Sequence, residues 1–191
     1  MRILGIDPGL RSTGWGVIAC DDGRLSHIAN GAIQPNPNFA DADRLRIIFS
    51  KLDDVIAQHK PSQAAIEQIF VAKSANSALR LGMARGVGLL VCGVNGLAVG
   101  EISARAVKKA VAGTGTAEKK QVQDMVTRLL AVTAKNADAA DALAIAIAVS
   151  NDVGKLANVG VGSSKGEATV GLSAAIAAAL ARDDASNGGK T

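Results

Sequence analysis

Three short apolar runs open the chain, and residues that favour turns separate them. Each run is rich in aliphatic residues and has the length of a strand, and Pro8-Gly9 and Asp21-Asp22-Gly23 interrupt the series. The Asp-Gly pair before the third run is typical of a hairpin turn. The pattern therefore predicts three consecutive strands, over residues 2–7, 13–20 and 24–33.

From Asp41 onward the apolar spacing lengthens to that of a helix. Apolar residues fall at i, i+3, i+4, i+7 and i+11 from Leu45, and this helix is predicted to end near Lys60-Pro61. Strand and helix patterns then alternate: a strand over 62–67, a helix over 76–95, a strand over 97–101, a helical stripe from Val122 to Leu129, and a helix over 138–149. This order predicts an α/β fold, with a mixed five-stranded sheet flanked by helices.

Two further features bear on organisation. After Asn151 the composition shifts to Gly, Ser and Val without a clear period, so we expect one domain over residues 1–151 and a C-terminal tail over 152–191 whose order the pattern does not predict. Gly82 and Gly86 lie four apart on one helical face. They would allow close approach either by a second copy of that helix across a two-fold axis or by the protein's own sheet.

Charge is unevenly spread along the 191 residues. Residues 61–130 contain nine basic and four acidic side chains. Their net charge, nine minus four or +5, exceeds the net charge of +4 of the whole chain. Such an excess suits a polyanionic partner, and it also suits an ordinary solvated surface. We expect no membrane-spanning run and no signal peptide before the first strand, and so a cytoplasmic protein.

Four acidic residues stand out because each lies at the edge of an apolar segment. Asp7 ends the first predicted strand and Glu67 ends the fourth. Asp138 and Asp141, spaced i, i+3, project from one face at the start of an apolar helix. If the first and fourth strands are parallel neighbours, their carboxyl ends bring Asp7 and Glu67 together, and the helix can add the other two acids.

Four converging carboxylates repel one another, and a divalent cation relieves that repulsion. Oxygen ligands favour Mg²⁺ or Mn²⁺ over zinc, and two such ions can promote attack of water on a phosphodiester. The alternative is local: Asp7 begins a turn, Asp138 caps a helix, and Asp141 complements the helix dipole. Glu67 fits this alternative least, because it has neither a turn nor a cap to serve.

Four long segments of the chain together resemble one known family, the RuvC Holliday junction resolvases of the RNase H-like nuclease superfamily. In chain order they are GIDPGLRSTGWG, AIEQIFVAKSANSALRLGMARG, VKKAVAGTGTAEKKQVQDMV and DAADALAIAI. The resemblance implies an RNase H-like fold, a homodimer that binds four-way junction DNA, and symmetric nicking with two Mg²⁺ ions per site, for which Mn²⁺ substitutes. It implies Asp7, Glu67, Asp138 and Asp141 as catalytic acids and metal ligands, and the RuvA-RuvB branch-migration complex as a partner.

Residues outside the acid cluster are expected to contact DNA. Phe70 matches the family's aromatic residue at the junction centre, although core packing would also explain a phenylalanine. The basic residues of the central excess would bind backbone phosphate and make affinity sensitive to salt. They are Lys73, Arg80, Arg85, Lys108, Lys109, Lys119 and Lys120.

The segment GTGTAEKK has a physical interpretation of its own. Thr116 is predicted to cap the following helix, with Glu118 in its first turn. Lys119 and Lys120 oppose the helix dipole there, which favours an anion-binding role over two solvated lysines. The tail, by contrast, is roughly neutral and departs from the basic extension common in the family.

Three other functions compete with this hypothesis. An actin-like sugar or acetate kinase also begins with a D-x-G-like hairpin, but it needs two such domains and has no use for the Asp138–Asp141 pair. A related nuclease could cut RNA or ordinary branched DNA with the same acids. A non-catalytic junction-binding protein would not need the complete acid set.

Overall fold

The three predicted N-terminal strands form an antiparallel meander. The computed structural model describes residues 1–68 and 74–150, so Phe70, Lys73 and the predicted tail over 152–191 lie outside the described residues. Strand β1 (Arg2–Asp7) pairs with β2 (Thr13–Asp21), and β2 pairs with β3 (Arg24–Ile33). These bounds confirm the predicted strands almost to the residue.

Two parallel strands extend the sheet beyond β1. Strand β4 (Gln63–Glu67) pairs parallel with β1, and β5 (Ala98–Ile102) pairs parallel with β4. Within the described residues the sheet has five strands in the order β3-β2-β1-β4-β5. Ile6 is in register with Ile66, so Asp7 and Glu67 follow one another at the same edge of the sheet.

Helices cover both faces of this sheet and bury two aliphatic cores. Helices α1 (Asp41–His59) and α2 (Ala75–Val94) pack on one face, against a core that includes Leu4, Ile6 and Val17. The other face carries three helices against a core that includes Ile3, Ile18 and Ala65. They are α3 (Ala104–Ala112), α4 (Lys119–Leu130) and α5 (Ala137–Ser150).

Helix α5 lies unusually close to the sheet because glycines face it. A Cβ atom added to Gly5 would come within 2.0 Å of the Ala142 carbonyl oxygen, and one on Gly14 within 2.0 Å of the Asp138 carbonyl oxygen. A Cβ on Gly16 would meet Leu143 at 2.7 Å. The main chains of β1, β2 and α5 therefore touch with no side chain between them, which fixes where the start of α5 lies over the sheet.

Helix α3 is absent from the sequence prediction, which ended its second parallel strand at residue 101 and resumed at the Val122 stripe. Its boundaries are nevertheless conventional. The Ser103 hydroxyl accepts a hydrogen bond from the Ala106 amide at the start, and Gly113 ends the helix in the left-handed conformation at φ 81°. Only Val107 and Val111 are buried on it, so its apolar stripe is too short for periodicity to detect.

The predicted cap of α4 is wrong. The helix begins at Lys119, three residues after Thr116, and Glu118 is its N-cap residue. The Glu118 amide donates to the Gln121 side chain at 2.9 Å in a capping box, while the Thr116 hydroxyl lies 3.0 Å from that of Thr114. Glutamate is an uncommon N-cap residue, which is why the threonine was the natural candidate.

Helix α2 departs from two expectations. By length and composition alone it is long enough and apolar enough to cross a membrane, and 22% of its apolar stretch is buried in the protein. The protein's own sheet does not occupy the space beside Gly82 and Gly86, because a Cβ atom added to either would meet nothing within 4 Å in the described part of the chain. Gly88 is the glycine of this helix that faces the sheet, because a Cβ atom added to it would lie 2.9 Å from the Ile66 side chain.

Candidate active site

Three carboxylates meet where α5 crosses the edge of the sheet. Asp7 ends β1, and Asp138 and Asp141 lie in the first turns of α5. One oxygen from each of the three lies within 4.8 Å of the others, close enough to share a metal ion. Glu67, at the end of β4, lines the same cavity as Asp7 and Asp141. The four acids predicted from sequence therefore converge.

The local alternatives for these acids are already filled by other residues. Asn136 caps α5, because its side-chain oxygen accepts the Ala139 amide at 2.8 Å, and Asp138 is left free of that role. The turn after Asp7 is closed by Thr13, whose hydroxyl donates to the Gly9 carbonyl at 2.8 Å. Asp7 and Asp138 are thus not needed as turn and cap residues.

Burial and mutual repulsion make the cluster hard to ionise. Burial raises the pKa of Asp7 to about 7, and the negative charges of Glu67, Asp141 and Asp138 add to the effect. Burial is also the main cause that raises the pKa of Glu67 and of Asp141. A bound cation would reverse this by favouring the charged forms.

Lysines provide part of the compensating charge. The Lys119 ammonium donates a hydrogen bond to Asp141 at 2.5 Å, and this bond is the main reason that the pKa of Lys119 is raised. Lys108 lines the same cavity and opposes the rise in the pKa of Glu67. One positive charge bonded to Asp141 does not balance four carboxylates, so a further cation bound at the cluster would still be stabilised.

Two cavities flank the acids. The first has a volume of about 220 Å³ and is lined by Asp7, Glu67 and Asp141 together with aliphatic residues that include Val107 and Ile145. The second is a larger cleft of about 830 Å³ between the β1–β2 turn, the segment after β3 and the start of α2. Its polar lining includes Asp138, Arg11, Ser12, Arg44 and Arg80. Asp138 therefore lies at the boundary of the larger cleft.

The predicted DNA-contacting residues are distributed unevenly about these cavities. Arg80 lines the larger cleft, Lys108 and Lys119 line the smaller cavity, and Lys109 and Lys120 are exposed close by in sequence. Arg85 instead forms an ion pair with Glu101 of β5. Phe70 and Lys73 lie outside the described residues.

Sequence reasoning did not find every residue that touches the acids. Ser12 donates a hydrogen bond of 2.6 Å to Asp138, across 126 residues of chain, and nothing in its local pattern distinguishes it from a turn serine. Lys119 was predicted as a phosphate-binding residue, and its bond to Asp141 places it inside the cluster. Only the unfavourable position of a lysine at a helix N-terminus pointed to a special role.

The donor set fits a hard divalent cation. All four candidate ligands are carboxylates, and the described residues around them add no cysteine or histidine to the cavity lining. Oxygen-only coordination suits Mg²⁺ and Mn²⁺ and disfavours a structural zinc site. The cluster can therefore hold a metal ion of the kind that hydrolytic nucleases use.

Comparison with known proteins agrees with this geometry. The family profile described as "Crossover junction endodeoxyribonuclease RuvC" matches residues 3–149. A protein of that name from Zymomonas mobilis is 53% identical over 148 residues, which cover 77% of this chain and 89% of the relative. Another from Caulobacter vibrioides is 50% identical over 151 residues, covering 78% and 89% respectively.

Solved structures give the same result. The structure of T. thermophilus RuvC in complex with a Holliday junction substrate superposes with a TM-score of 0.73 at 29% identity, covering 78% of this chain and 92% of that one. The yeast mitochondrial Holliday junction resolvase, at 14% identity and a TM-score of 0.60, shares the fold alone. The fold is RNase H-like, and the chain belongs to the RuvC family of crossover junction endodeoxyribonucleases.

Proposed function

We propose that this protein is a structure-selective endodeoxyribonuclease that resolves Holliday junctions by paired, symmetric nicks in DNA recombination and repair. The observation that carries the proposal is the meeting of Asp7, Asp138 and Asp141 oxygens within 4.8 Å, in a chain of the RuvC family. Carboxylates recognise metal and phosphate rather than bases, so the choice of junction must come from the surrounding surface and from a second protomer.

The proposed reaction is metal-dependent hydrolysis of a phosphodiester. Water attacks phosphorus and the 3′ oxygen leaves, so the products carry a 5′-phosphate and a 3′-hydroxyl. We assign Asp7, Glu67, Asp138 and Asp141 as ligands of two Mg²⁺ ions, with Mn²⁺ as a substitute. When bound, such ions polarise the phosphate and lower the pKa of the attacking water.

The protein's own residues have distinct tasks in this scheme. Asp7 is central to the cluster, since its oxygen approaches those of Asp138 and Asp141. The negative charges of all three other acids raise its pKa. Lys119 neutralises part of the charge on Asp141 and is suited to approach the phosphate. Aliphatic side chains also line the smaller cavity beside the acids, and an apolar lining strengthens electrostatic interactions there.

Basic residues around the acids supply the proposed DNA contacts. Arg80 and Arg11 line the cleft on the Asp138 side, and Lys108 lies on the Glu67 side, so a backbone crossing the acids would meet cations at both ends. Lys109 and Lys120 extend this basic surface. Arg85 is proposed as a weaker contributor, because Glu101 already neutralises it. Phe70 and Lys73 remain predictions from the family resemblance.

We further infer a homodimer through the exposed face of α2. Leu79, Leu90 and Val94 are 64%, 57% and 67% exposed, which is unusual for large apolar side chains on one helix. Gly82 and Gly86 lie between them with open space above, so a second helix could approach closely. A two-fold axis through this face would present two equivalent active sites to a nearly symmetric junction.

Two further parts of the proposal rest on the family resemblance. A resolvase that acts on recombination intermediates is expected to work in the cytoplasm. It is also expected to cooperate with the RuvA-RuvB complex, which pull-down with purified components and junction DNA would test.

One experiment tests the proposed activity. Purified protein is incubated with Mg²⁺ and a labelled four-way junction, in parallel with duplex DNA, a fork and an RNA/DNA hybrid. Paired nicks in opposed strands of the junction are expected, with ligatable ends. Asp7→Asn should bind the junction without cutting it. Equal cutting of plain duplex or hybrid would overturn the resolvase assignment in favour of a less selective nuclease.

A further inference from the structure

Ser12 touches the acid cluster from outside the set of candidate metal ligands. Its hydroxyl donates a hydrogen bond of 2.6 Å to Oδ2 of Asp138. This length lies within the normal range of charge-assisted O–H···O⁻ hydrogen bonds. Ser12 belongs to the turn that follows β1, and Asp138 belongs to α5, so the bond joins the turn after Asp7 to the helix that carries Asp138 and Asp141.

The turn that carries Ser12 is held rigidly. Thr13, the next residue, is fully buried, and its hydroxyl donates to the Gly9 carbonyl at 2.8 Å while accepting from the Gly9 amide at 3.3 Å. On the following residue, Gly14 brings the main chain of β2 against the Asp138 carbonyl. The separation of Ser12 from Asp138 is therefore set by main-chain packing and does not depend on a flexible loop.

We propose that Ser12 is a positioning residue for Asp138: its hydroxyl holds the carboxylate in the orientation that presents its remaining lone pairs to a divalent cation. The inference rests on the proposed metal-dependent function. An ionised carboxylate offers about four lone-pair sites, so the bond from Ser12 leaves room for a metal. Partners of this kind fix the rotamer of a ligand before the metal arrives.

The two acids of α5 are supported in different ways. Asp141 is held by the Lys119 ammonium, a cation that competes with a metal for the same charge. Asp138 is held by a neutral donor, which can stay in place when a cation binds. Ser12 therefore supplies orientation without competition, and its loss should weaken metal binding at Asp138 directly.

Gln34 makes a weaker contact behind Ser12. Its amide nitrogen lies 3.5 Å from the Ser12 hydroxyl, at the outer limit of a hydrogen bond. Gln34→Ala is therefore expected to have a much smaller effect than loss of the Ser12 hydroxyl, about twofold or less on metal affinity.

The test compares Ser12→Thr with Ser12→Val, which have nearly the same shape and differ in the hydroxyl. Mn²⁺ binding to the DNA-free protein is measured by isothermal titration calorimetry, and junction cleavage is measured against Mg²⁺ concentration. Ser12→Val should weaken Mn²⁺ binding about tenfold and shift the Mg²⁺ requirement by a similar factor, whereas Ser12→Thr should stay within about threefold of the parent. Junction affinity in Ca²⁺ should be equal for both variants.

Two controls keep the outcome interpretable. Ser62→Ala removes a hydroxyl that bonds a main-chain carbonyl at the far end of β1, and it should leave Mn²⁺ binding unchanged. Ser12→Ala must show the same loss of Mn²⁺ affinity as Ser12→Val. This control separates loss of the hydroxyl from a folding defect caused by the bulkier valine. Parent-like Mn²⁺ affinity in folded Ser12→Ala or Ser12→Val would overturn the proposal.

Failure of the proposed function would leave a different signature. If the parent bound Mn²⁺ and lost affinity on Ser12→Ala but cut no junction, the resolvase assignment would fail and the positioning role would stand. If junctions were cut and Ser12→Ala had no effect on metal binding, the resolvase assignment would stand and the positioning role would fail.

Discussion

Helices α5 and α2 are both rich in small and apolar residues, and they use them in opposite ways. On α5 the residues from Ala142 to Val149 are all buried, and the glycines that matter lie opposite, on β1 and β2. On α2 the glycines lie on the helix itself and face open space, among exposed leucines. Close packing is already achieved within the chain at α5, whereas at α2 we propose that a second chain completes it.

The contrast teaches that glycine alone does not tell which kind of contact is present. Gly86 was predicted from sequence to be a place of close approach, whereas Gly14 was not. A Cβ atom added to Gly14 would meet a main-chain oxygen of the same protomer. One added to Gly86 would meet no atom of the described residues within 4 Å outside its own helix. The first contact builds the acid cluster and the second leaves a surface.

Adding one methyl group at each glycine gives the most direct test of this contrast. Gly14→Ala puts a Cβ 2.0 Å from the Asp138 carbonyl oxygen, so we expect either no folded protein or a loss of about 3 kcal/mol or more in unfolding free energy. Gly86→Ala should keep or raise the stability of the protomer by up to about 1 kcal/mol, through better helix propensity. Urea unfolding followed by circular dichroism measures both, and ultracentrifugation separates any change in dimerisation. A folded Gly14→Ala with parent-like Mn²⁺ binding would contradict the account of α5.

Removing one charge from the cluster should abolish catalysis while leaving the α2 surface intact. We expect Asp7→Asn to reduce junction cleavage about 10³-fold or more, because a residue that shares the cluster with Asp138 and Asp141 can no longer act as an anionic ligand. Dimerisation and junction binding should persist. Asp22→Asn, in the exposed β2–β3 turn, is the matched control and should cut at the parent rate. Substantial cleavage by Asp7→Asn would show that the acids are not the catalytic centre.

A charge on the exposed face of α2 should have the opposite profile. Leu90→Lys is expected to weaken dimerisation about 100-fold, since a buried unpaired charge would replace an apolar contact, while the protomer stays folded. Leu129→Lys makes the same change at a leucine of α4 that is 40% exposed and should leave the dimer unchanged. Sedimentation velocity at several protein concentrations measures the dimerisation of both variants. A dimer that tolerates Leu90→Lys would place the interface elsewhere.

The smallest expected effect is on the stability of the metal-free protein as pH changes. The folded-state pKa of Asp7 is raised to about 7, so between about pH 4 and 7 the folded state binds more protons than the unfolded state. Stability should therefore be greatest at the acidic end of this range and fall as pH rises through 7. We expect the Tm of the parent in EDTA to drop about 3 °C more than that of Asp7→Asn between pH 5 and pH 8.

Addition of Mg²⁺ supplies the complementary measurement. At pH 8 it should raise the Tm of the parent and have little effect on Asp7→Asn, because the cation binds the ionised cluster. Identical pH profiles for the two proteins in EDTA would contradict the repulsion argued for the site.

Much of this arrangement could be predicted because its signals are local. The β1, β2 and β3 runs have clear turn residues between them, and the four acids stand out because each lies at the edge of an apolar segment. Parallel pairing of β1 with β4 was the stated condition for Asp7 and Glu67 to meet at one edge. The structure confirms that pairing; the catalytic roles of the acids stay predictions.

The parts that were missed depend on contacts between distant segments. Helix α3 buries only two valines, so its pattern is too short to stand out, although Ser103 and Gly113 mark its ends. Thr116 was the natural cap for α4 because threonine commonly caps and glutamate rarely does. The bond from Ser12 to Asp138 could not be predicted from either neighbourhood, because it exists only once β2 and α5 have docked.

The glycine-mediated contact of α5 with the sheet also governs when the acid cluster can exist. Asp7 lies near the start of the chain and Asp141 is 134 positions later, on the helix that docks against Gly5, Gly14 and Gly16. Contacts this distant in sequence form late in folding, because a long loop must close first. A chain emerging from the ribosome would thus carry one half of a metal site without the other. It would gain the capacity to bind the cation only when the domain is complete.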